Sequence, residues 1–222
     1  MGETLKLTAK DGVAIAAYKA APTGKPKGAM VVLQEIFGIN HHIRSVTDRY
    51  AAQGYLAIAP ALFDRVGKGI ELSYTQDDVT KGADIRSKTK LDATLADIDA
   101  AVKEVASAGP VGVVGYCWGG TLAYAAACRV RGLKAAVGYY GGGIAAMLNE
   151  KPKVPVMLHF GEKDKHIPMD DVNKIKKAYP AMPVYVYNAD HGFNCDERGS
   201  YDKASTELAL QRTLAFFDEH LR

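Results

Sequence analysis

The segment that most constrains the fold of this chain is residues 115–120, with the sequence GYCWGG. It follows the apolar run 111–114 and precedes an alanine-rich stretch at 121–128. Glycines on either side of Cys117 permit a sharp turn from a strand into a helix, with the central side chain projecting above the sheet. This pattern is typical of a nucleophile elbow that carries Cys in place of the usual Ser. The thiol of Cys117 is therefore a candidate nucleophile, and the alternative is a small buried Cys in a strand-to-helix turn.

Two later segments supply partners for that thiol in a fixed order. Residues 154–160 are apolar enough for a buried strand, and the loop after them presents Asp164. A further strand at 184–187 leads into a loop that carries His191. Nucleophile, acid and histidine, each after a strand, follow one another in the chain order of α/β-hydrolases. We therefore predict a catalytic triad of Cys117, Asp164 and His191.

Five blocks of sequence carry a resemblance that runs along almost the whole chain. They are residues 34–40 (QEIFGIN), 115–120 (GYCWGG), 137–141 (VGYYG), 161–164 (GEKD) and 191–193 (HGF). On these blocks the chain resembles the dienelactone hydrolase family, also called carboxymethylenebutenolidases. The QEIFG block together with a Cys elbow is the specific part, since most serine esterases of the same fold lack both. The resemblance implies a cysteine-dependent hydrolase of small lactones or esters such as dienelactone, with anionic ones expected.

Composition and periodicity agree with one α/β domain that spans residues 1–222. The chain has 222 residues, of which 48% are hydrophobic, and this is enough for a sizeable core. Six near-continuous apolar runs predict central parallel strands, whereas two alternating segments at the start predict an antiparallel edge. The strands are expected near 4–9 and 13–19, then at 29–33, 55–59, 111–115, 135–139, 156–160 and 184–187. We predict an α/β-hydrolase fold with a mostly parallel sheet of about eight strands and helices on both faces.

Helical patterns leave one long connection without regular structure. Five helices are expected, at 41–53, 90–107, 121–129, 169–178 and 202–221. Residues 60–90 mix glycines with basic and polar residues and follow the carboxyl end of a strand. A long connection at that place in such a fold is typical of a lid or a substrate wall.

Charge and cysteine usage exclude several classes of function. The formal net charge is only +3 and the basic residues are scattered, which argues against nucleic acid as a partner. The first residues lack the apolar core of a signal peptide, and no apolar run is long enough to span a bilayer, so we expect a cytoplasmic protein without a membrane partner. Three cysteines without Cys-X-X-Cys spacing argue against a disulfide framework and a zinc site. We expect a monomer or small homo-oligomer whose partner is a small ester or lactone.

The resemblance adds residues around the nucleophile. Glu35 follows a buried strand and is expected at the same sheet edge as Cys117. In the family this glutamate contacts the resting thiol and takes its proton when substrate displaces it, so the resemblance implies an activating base. A strand-end carboxylate that caps a loop is the alternative. The backbone N–H groups of Ile36 and Trp118 are the expected oxyanion hole, and no metal or organic cofactor is required.

The resemblance also implies residues that bind the substrate. Family members that hydrolyse dienelactone hold the substrate carboxylate with one arginine before the long helix and another shortly after the catalytic His. Here Cys195 stands about where the second arginine is expected and Arg198 is displaced, while Lys81 and Arg86 are available for the first. A cationic clamp suits a carboxylate. The candidates for the pocket are Arg86, Lys81, Arg198, Tyr140 and Phe37.

The predicted chemistry is two-step acyl transfer through a covalent acyl-enzyme on Cys117. One alternative is a broader carboxylesterase or thioesterase that uses the same triad in a different pocket. Another is a non-catalytic ligand-binding protein on this scaffold, although a binding module has no need for a Cys elbow with a distant Asp and His. A thiol-redox role is disfavoured because no resolving Cys lies close to Cys117 in the sequence.

Overall fold

A computed structural model describes residues 2–221 of the chain and places one eight-stranded sheet at its centre. The strands are Glu3–Thr8 (β1), Ala14–Ala20 (β2), Ala29–Leu33 (β3), Leu56–Pro60 (β4), Val111–Tyr116 (β5), Leu133–Tyr139 (β6), Val156–Gly161 (β7) and Val184–Tyr187 (β8). Their order across the sheet is β1-β2-β4-β3-β5-β6-β7-β8. β1 and β2 pair antiparallel, β2 pairs antiparallel with β4, and all other pairs are parallel.

The burial of the strands explains their sequence patterns. β3 and β5 are buried at every position because helices cover both of their faces, and their runs of valine suit that environment. β1 lies at the sheet edge with four of its six residues exposed, so its sequence alternates. The predicted fold class and the antiparallel start of the sheet are therefore confirmed.

Six α-helices surround the sheet within residues 2–221. They are His41–Ala52 (α1), Gln76–Ser87 (α2), Leu91–Val105 (α3), Trp118–Arg129 (α4), Met169–Ala178 (α5) and Lys203–His220 (α6). Two positions of β5 show that both faces are covered. A Cβ at Gly112 would come within 2.9 Å of the Phe217 ring in α6, while one at Gly115 would come within 1.9 Å of the Gly119 carbonyl in α4. Because Gly112 and Gly115 point to opposite faces of a strand, α6 and α4 cover opposite faces of the sheet.

The irregular connection predicted over residues 60–90 was wrong in its second half, where α2 forms. This helix buries only Gly82 and Ile85 among its residues, so it shows almost no apolar period in the sequence. Its start is nevertheless capped, because the Thr75 side chain accepts a hydrogen bond from the backbone N–H of Asp78. The helix follows from capping and tertiary contact rather than from an apolar stripe.

The helix predicted over residues 121–129 begins three residues earlier, at Trp118. Gly119 and Gly120 therefore lie within the first turn instead of forming a loop before it. A Cβ on either would come within 2.4 Å of a strand-end carbonyl oxygen, that of Leu33 or that of Tyr139. These glycines let the start of α4 lie directly against the sheet.

The order of the strands identifies the edge of the sheet at which a ligand is expected to bind. β3 is followed by β4 on one side and by β5 on the other, so the crossovers diverge at the carboxyl ends of β3 and β5. In open α/β sheets ligands bind at such a switch point. The assignment of residues 1–222 to one domain and the cytoplasmic location stay predictions. No helix in the described part of the chain is long and apolar enough to cross a bilayer.

Candidate active site

The turn between β5 and α4 holds Cys117 in a strained conformation. Its backbone has φ 56° and ψ −116°, in the left-handed half of the map that non-glycine residues rarely occupy. The neighbouring glycines allow this, since a Cβ at Gly115 would collide with the Gly119 carbonyl oxygen at 1.9 Å. The Cys117 backbone N–H donates to the Tyr139 carbonyl over 3.0 Å and anchors the turn to β6. The turn therefore has the geometry of a nucleophile elbow.

The three predicted triad residues form one hydrogen-bonded chain. The Cys117 Sγ lies 3.2 Å from His191 Nε2, and His191 Nδ1 lies 2.6 Å from Asp164 Oδ2. The Asp164 side chain is fully buried, and its Oδ1 accepts the backbone N–H of His166 over 2.8 Å. Because both carboxylate oxygens are held, Asp164 fixes the orientation of the imidazole.

The environment of His191 favours its protonated form. Although burial of the imidazole opposes protonation, the hydrogen bonds to Asp164 and Cys117 outweigh it and raise the pKa of His191 to about 10. An imidazolium next to a sulfur stabilises the thiolate, which is the nucleophilic form of cysteine. The arrangement therefore places a proton donor within hydrogen-bond distance of the Cys117 sulfur.

Glu35 follows β3 and is fully buried close to the triad residues. Its Oε1 accepts a hydrogen bond from Arg198 Nη1 over 3.1 Å, and its Oε2 accepts one from the Tyr74 hydroxyl over 2.9 Å. Within residues 2–221 these are the hydrogen bonds of the carboxylate, and the Cys117 thiol contacts His191 instead. Among the described residues Glu35 therefore makes no hydrogen bond to the thiol, and the activating role that the resemblance implies stays a prediction.

The two residues expected to form the oxyanion hole lie at the cavity into which the thiol opens. Ile36 and Trp118 line the same cavity as Cys117, and Trp118 is the first residue of α4. The backbone N–H groups in the first turn of a helix lack intrahelical partners, so that of Trp118 is suited to bind a developing negative charge. The Ile36 N–H makes no hydrogen bond to a described residue. α2 covers this side, because a Cβ at Gly82 would lie 2.1 Å from the Ile36 carbonyl oxygen.

The thiol opens into a cavity of about 450 Å³. Four of the five predicted substrate-binding residues line it: Arg86, Arg198, Tyr140 and Phe37. The lining also includes His166 and His191, and among residues 2–221 it contains no carboxylate side chain. The cavity wall is therefore cationic.

The fifth candidate, Lys81, is absent from the described lining of this cavity, and its role in substrate binding stays a prediction. Val79, Ala83 and Arg86 line the cavity from α2, and their spacing of four and three residues puts them on one helix face. Lys81 lies two residues after Val79, about 200° around the helix, and is exposed.

Arg198 reaches the site because the chain turns twice after His191. The Cys195 N–H donates to the Gly192 carbonyl over 2.9 Å, and the Arg198 N–H donates to the Cys195 carbonyl over 3.1 Å. The guanidinium then lies over Gly192, where a Cβ would approach its Nη1 to 2.7 Å. Arg198 lies three residues beyond Cys195, the position where the family arginine is expected, and the two turns nevertheless bring its guanidinium to the site.

Tyr140 contributes a hydroxyl that has no hydrogen-bond partner among the described residues although it is buried. The residue has φ 38°, and its ring centroid lies 5.0 Å from that of His191. Burial raises the pKa of Tyr140 well above its usual value, so the hydroxyl keeps its proton. It is a hydrogen-bond donor available at the cavity.

Two residues at the site were missed in the sequence. Tyr74, which bonds Glu35, lies in the connection where no pattern marks it. His166 lies two residues after Asp164 and lines the cavity, with its ring centroid 5.4 Å from that of His191. Its closeness to Asp164 in sequence was the signal that could have identified it.

Comparison with known proteins decides the family. The sequence model of the dienelactone hydrolase family matches residues 15–221. The chain belongs to the dienelactone hydrolase family. As a member of this family it is a hydrolase of the ester and lactone class.

Individual relatives agree with the family over nearly their full lengths. A Synechocystis protein named "Putative carboxymethylenebutenolidase" is 35% identical over 240 residues, which cover 99% of this chain and 97% of the relative. A Pseudomonas putida protein named "Carboxymethylenebutenolidase" is 30% identical, with 96% and 95% covered. The crystal structure titled "Putative Dienelactone Hydrolase" from Klebsiella pneumoniae superposes with a TM-score of 0.86 at 32% identity, with 98% and 99% covered. The dienelactone hydrolase fold thus extends over the whole of both chains.

Proposed function

We propose that this dienelactone hydrolase family member cleaves small anionic lactones or esters through a covalent acyl-enzyme on Cys117. The observation that carries the proposal is the hydrogen-bonded chain from Cys117 through His191 to Asp164, at the floor of a cationic cavity. Nucleophile, base and orienting acid within hydrogen-bond reach are the parts that acyl transfer needs.

The first step is attack of the Cys117 thiolate on the substrate carbonyl. His191 is protonated and its bond to Asp164 keeps the imidazolium in place, while the proton that the thiol loses passes to Glu35. The carbonyl oxygen takes up the negative charge as the sulfur–carbon bond forms. The backbone N–H groups of Ile36 and Trp118 are positioned to receive that oxygen.

The second step expels the leaving oxygen and then releases the acid. His191 donates its proton to the ester or enol oxygen as the carbon–oxygen bond breaks, leaving a thioester on Cys117. The neutral imidazole then takes a proton from water, which attacks the thioester. Collapse of that intermediate expels the Cys117 thiolate, leaves His191 protonated and frees the acid, which loses its proton to solvent. Asp164 stabilises the imidazolium each time it forms.

The charge of the cavity supports an anionic substrate. Arg198 and Arg86 both line it, and a planar guanidinium can bind a carboxylate with two parallel hydrogen bonds. Arg198 is already paired with a carboxylate, that of Glu35, so substrate can exchange with this internal partner. The Tyr140 hydroxyl supplies a further neutral donor.

Glu35 takes the role of an activating base in this proposal. When the substrate carboxylate binds Arg198, Glu35 loses its ion pair and is left with the Tyr74 hydrogen bond alone. A buried carboxylate without its cation gains by taking a proton, and the nearby thiol is a source of one. Substrate binding would then promote formation of the nucleophile.

The test is hydrolysis of cis- and trans-dienelactone beside a neutral p-nitrophenyl ester, with the wild type and Cys117→Ala. The proposal expects a larger kcat/KM for dienelactone, lost in the variant. Turnover of the neutral ester alone would contradict the anionic substrate class and favour a broader carboxylesterase. Turnover of none of them, by a folded protein, would contradict hydrolysis of these substrates and favour a binding role.

A further inference from the structure

A second cluster of reactive side chains lies behind the catalytic residues. A ring nitrogen of His42, the thiol sulfur of Cys195 and a carboxylate oxygen of Glu35 lie within 4.8 Å of one another. All three residues are buried, and they come from α1, from the loop after His191 and from the end of β3. The acyl-transfer steps use only Glu35, so the other two side chains have no role in them.

His42 is oriented as metal-binding histidines are. Its Nδ1 lies 3.0 Å from Asp196 Oδ1, whereas its Nε2 is buried and has no hydrogen-bond partner among the described residues. A carboxylate that accepts from Nδ1–H leaves the lone pair on Nε2, and this arrangement of carboxylate, imidazole and metal recurs in metalloproteins. In that tautomer His42 would present an unused lone pair inside the protein.

We propose that His42, Cys195 and Glu35 form a binding site for a divalent transition metal of the zinc type. Imidazole nitrogen, thiolate and carboxylate are the three ligand types that Zn²⁺ takes, and three protein ligands leave a fourth position open. Calcium and magnesium are disfavoured because they require oxygen ligands. Sequence spacing gave no sign of this site, since its members are residues 35, 42 and 195.

The geometry requires a modest contraction of the cluster. Zinc bonds of about 2.0–2.3 Å in a tetrahedral site set ligand atoms roughly 3.3–3.8 Å apart, so the atoms must approach by at most about 1.5 Å. Binding also displaces the thiol proton of Cys195 to the solvent, because thiolate is the ligand form. Arg198, which bonds Glu35 and lines the cavity, marks the side from which a metal can enter.

Occupation of this site would control the enzyme through Glu35, a consequence that rests on the proposed function. A metal bound to the Glu35 carboxylate competes with its hydrogen bonds to Arg198 and Tyr74. The Arg198 guanidinium would then lose the partner that holds it at the cavity wall, where it would bind the substrate carboxylate. We infer that zinc is a reversible inhibitor that acts behind the catalytic residues rather than at Cys117.

The binding test uses Co²⁺ as a spectroscopic probe and Cys117→Ala as the background, so that the catalytic thiol cannot contribute. Co²⁺ bound to a thiolate gives a charge-transfer band in the near ultraviolet. We expect one Co²⁺ per chain with this band, and its displacement by Zn²⁺. Adding Cys195→Ser should abolish the band, whereas adding Cys128→Ser, which alters a buried cysteine elsewhere, should leave it unchanged.

Two further variants separate ligation from loss of folding. In the same background, His42→Gln should weaken Co²⁺ binding at least tenfold, and Asp196→Asn should weaken it about 10–100-fold, as loss of an outer-shell partner usually does. Asp196 is half-exposed, so its variant is expected to fold. The absence of a band in the background protein, or a band that survives Cys195→Ser, would overturn the site.

Zinc inhibition of the active enzyme tests the consequence separately. With wild type and Cys195→Ser, each compared with its own metal-free rate, Cys195→Ser should need at least tenfold more Zn²⁺ for half-inhibition. Equal inhibition of both would overturn control through Glu35 and place the inhibitory zinc at Cys117 and His191. Because cobalt binding is measured without the nucleophile, failure of the proposed hydrolysis would leave that result unaffected.

Discussion

Arg198 donates a hydrogen bond to the buried carboxylate of Glu35 over 3.1 Å, at the wall of the cavity into which Cys117 opens. The guanidinium is largely buried, with 21% of its side chain exposed, and the carboxylate is 1% exposed. A buried carboxylate without a cation is costly. Arg198 thus already makes with Glu35 the charged hydrogen bond that a substrate carboxylate would make with it.

Replacement of Arg198 by Gln should separate anionic from neutral substrates. A hydrogen bond to a charged group contributes about 1.5–3 kcal/mol, so kcat/KM for an anionic ester should fall roughly tenfold to a hundredfold. A neutral ester of the same acyl length should lose much less. Arg198→Lys, which keeps the charge, should recover part of the loss. Equal losses on both esters would show that Arg198 acts only through the structure around Glu35.

Arg86 and Lys81 are two cations of α2 whose variants can be compared directly. Arg86 lines the cavity, whereas Lys81 is exposed on the other face of the same helix. Arg86→Gln should raise KM for an anionic ester several-fold, and Lys81→Gln should leave it unchanged, although both remove one positive charge. Steady-state kinetics at low and moderate ionic strength checks this. An equal rise in KM would indicate long-range attraction by the net charge instead of contact.

The pH profile should reflect the raised pKa of His191. The protonated imidazole is needed to expel the leaving oxygen, so kcat/KM should hold through neutral pH and fall as pH rises through about 10. Asp164→Asn removes a hydrogen bond that raises this pKa, so the alkaline fall should move to lower pH. Rates of Cys117→Ala serve as the blank for alkaline ester hydrolysis. A fall centred near the ordinary histidine value of 6.5 would contradict the paired thiolate.

The raised pKa of His191 also predicts how the free energy of unfolding depends on pH. The fold favours protonated His191, so its contribution is fully present below pH 6.5 and is lost as pH rises through about 10. The stability of His191→Gln should therefore fall less than that of the wild type as pH rises through about 10. Thermal unfolding of both proteins across that range provides the measurement, and parallel curves would contradict the expectation.

Gly119 should tolerate no side chain. A Cβ there would lie 2.4 Å from the Leu33 carbonyl oxygen, whereas one at Gly199 would meet nothing within 4 Å. Gly119→Ala should therefore lower the free energy of unfolding by about 3 kcal/mol or more, and Gly199→Ala should change it by less than about 0.5 kcal/mol. Urea unfolding followed by circular dichroism distinguishes the two. A Gly119→Ala protein as stable as the wild type would mean that α4 can move away from the sheet.

The positions of the strands and of the triad residues could be predicted because local sequence patterns mark them. The valines of β5 and the glycines around Cys117 define the elbow within ten residues, and the fold then fixes that an acid and a histidine follow later strands. The roles assigned to these residues stay predictions.

The parts that sequence could not supply depend on contacts between distant segments. Tyr74 reaches Glu35 across 39 residues, and Arg198 reaches it across 163, after two turns that no composition signal marks. The face of α2 that lines the cavity follows from packing of Gly82 against Ile36, so the choice between Lys81 and Arg86 needed the fold.

The central claim is that Cys117 carries the acyl group, and intact mass spectrometry of rapidly quenched reactions tests it most directly. With a slowly released ester, wild type and Cys128→Ala should each gain the mass of one acyl group, located by proteolysis to the peptide that contains Cys117. Cys117→Ala should gain none and should lose hydrolysis by several orders of magnitude. Sustained hydrolysis by Cys117→Ala, or an adduct on another residue, would contradict the account.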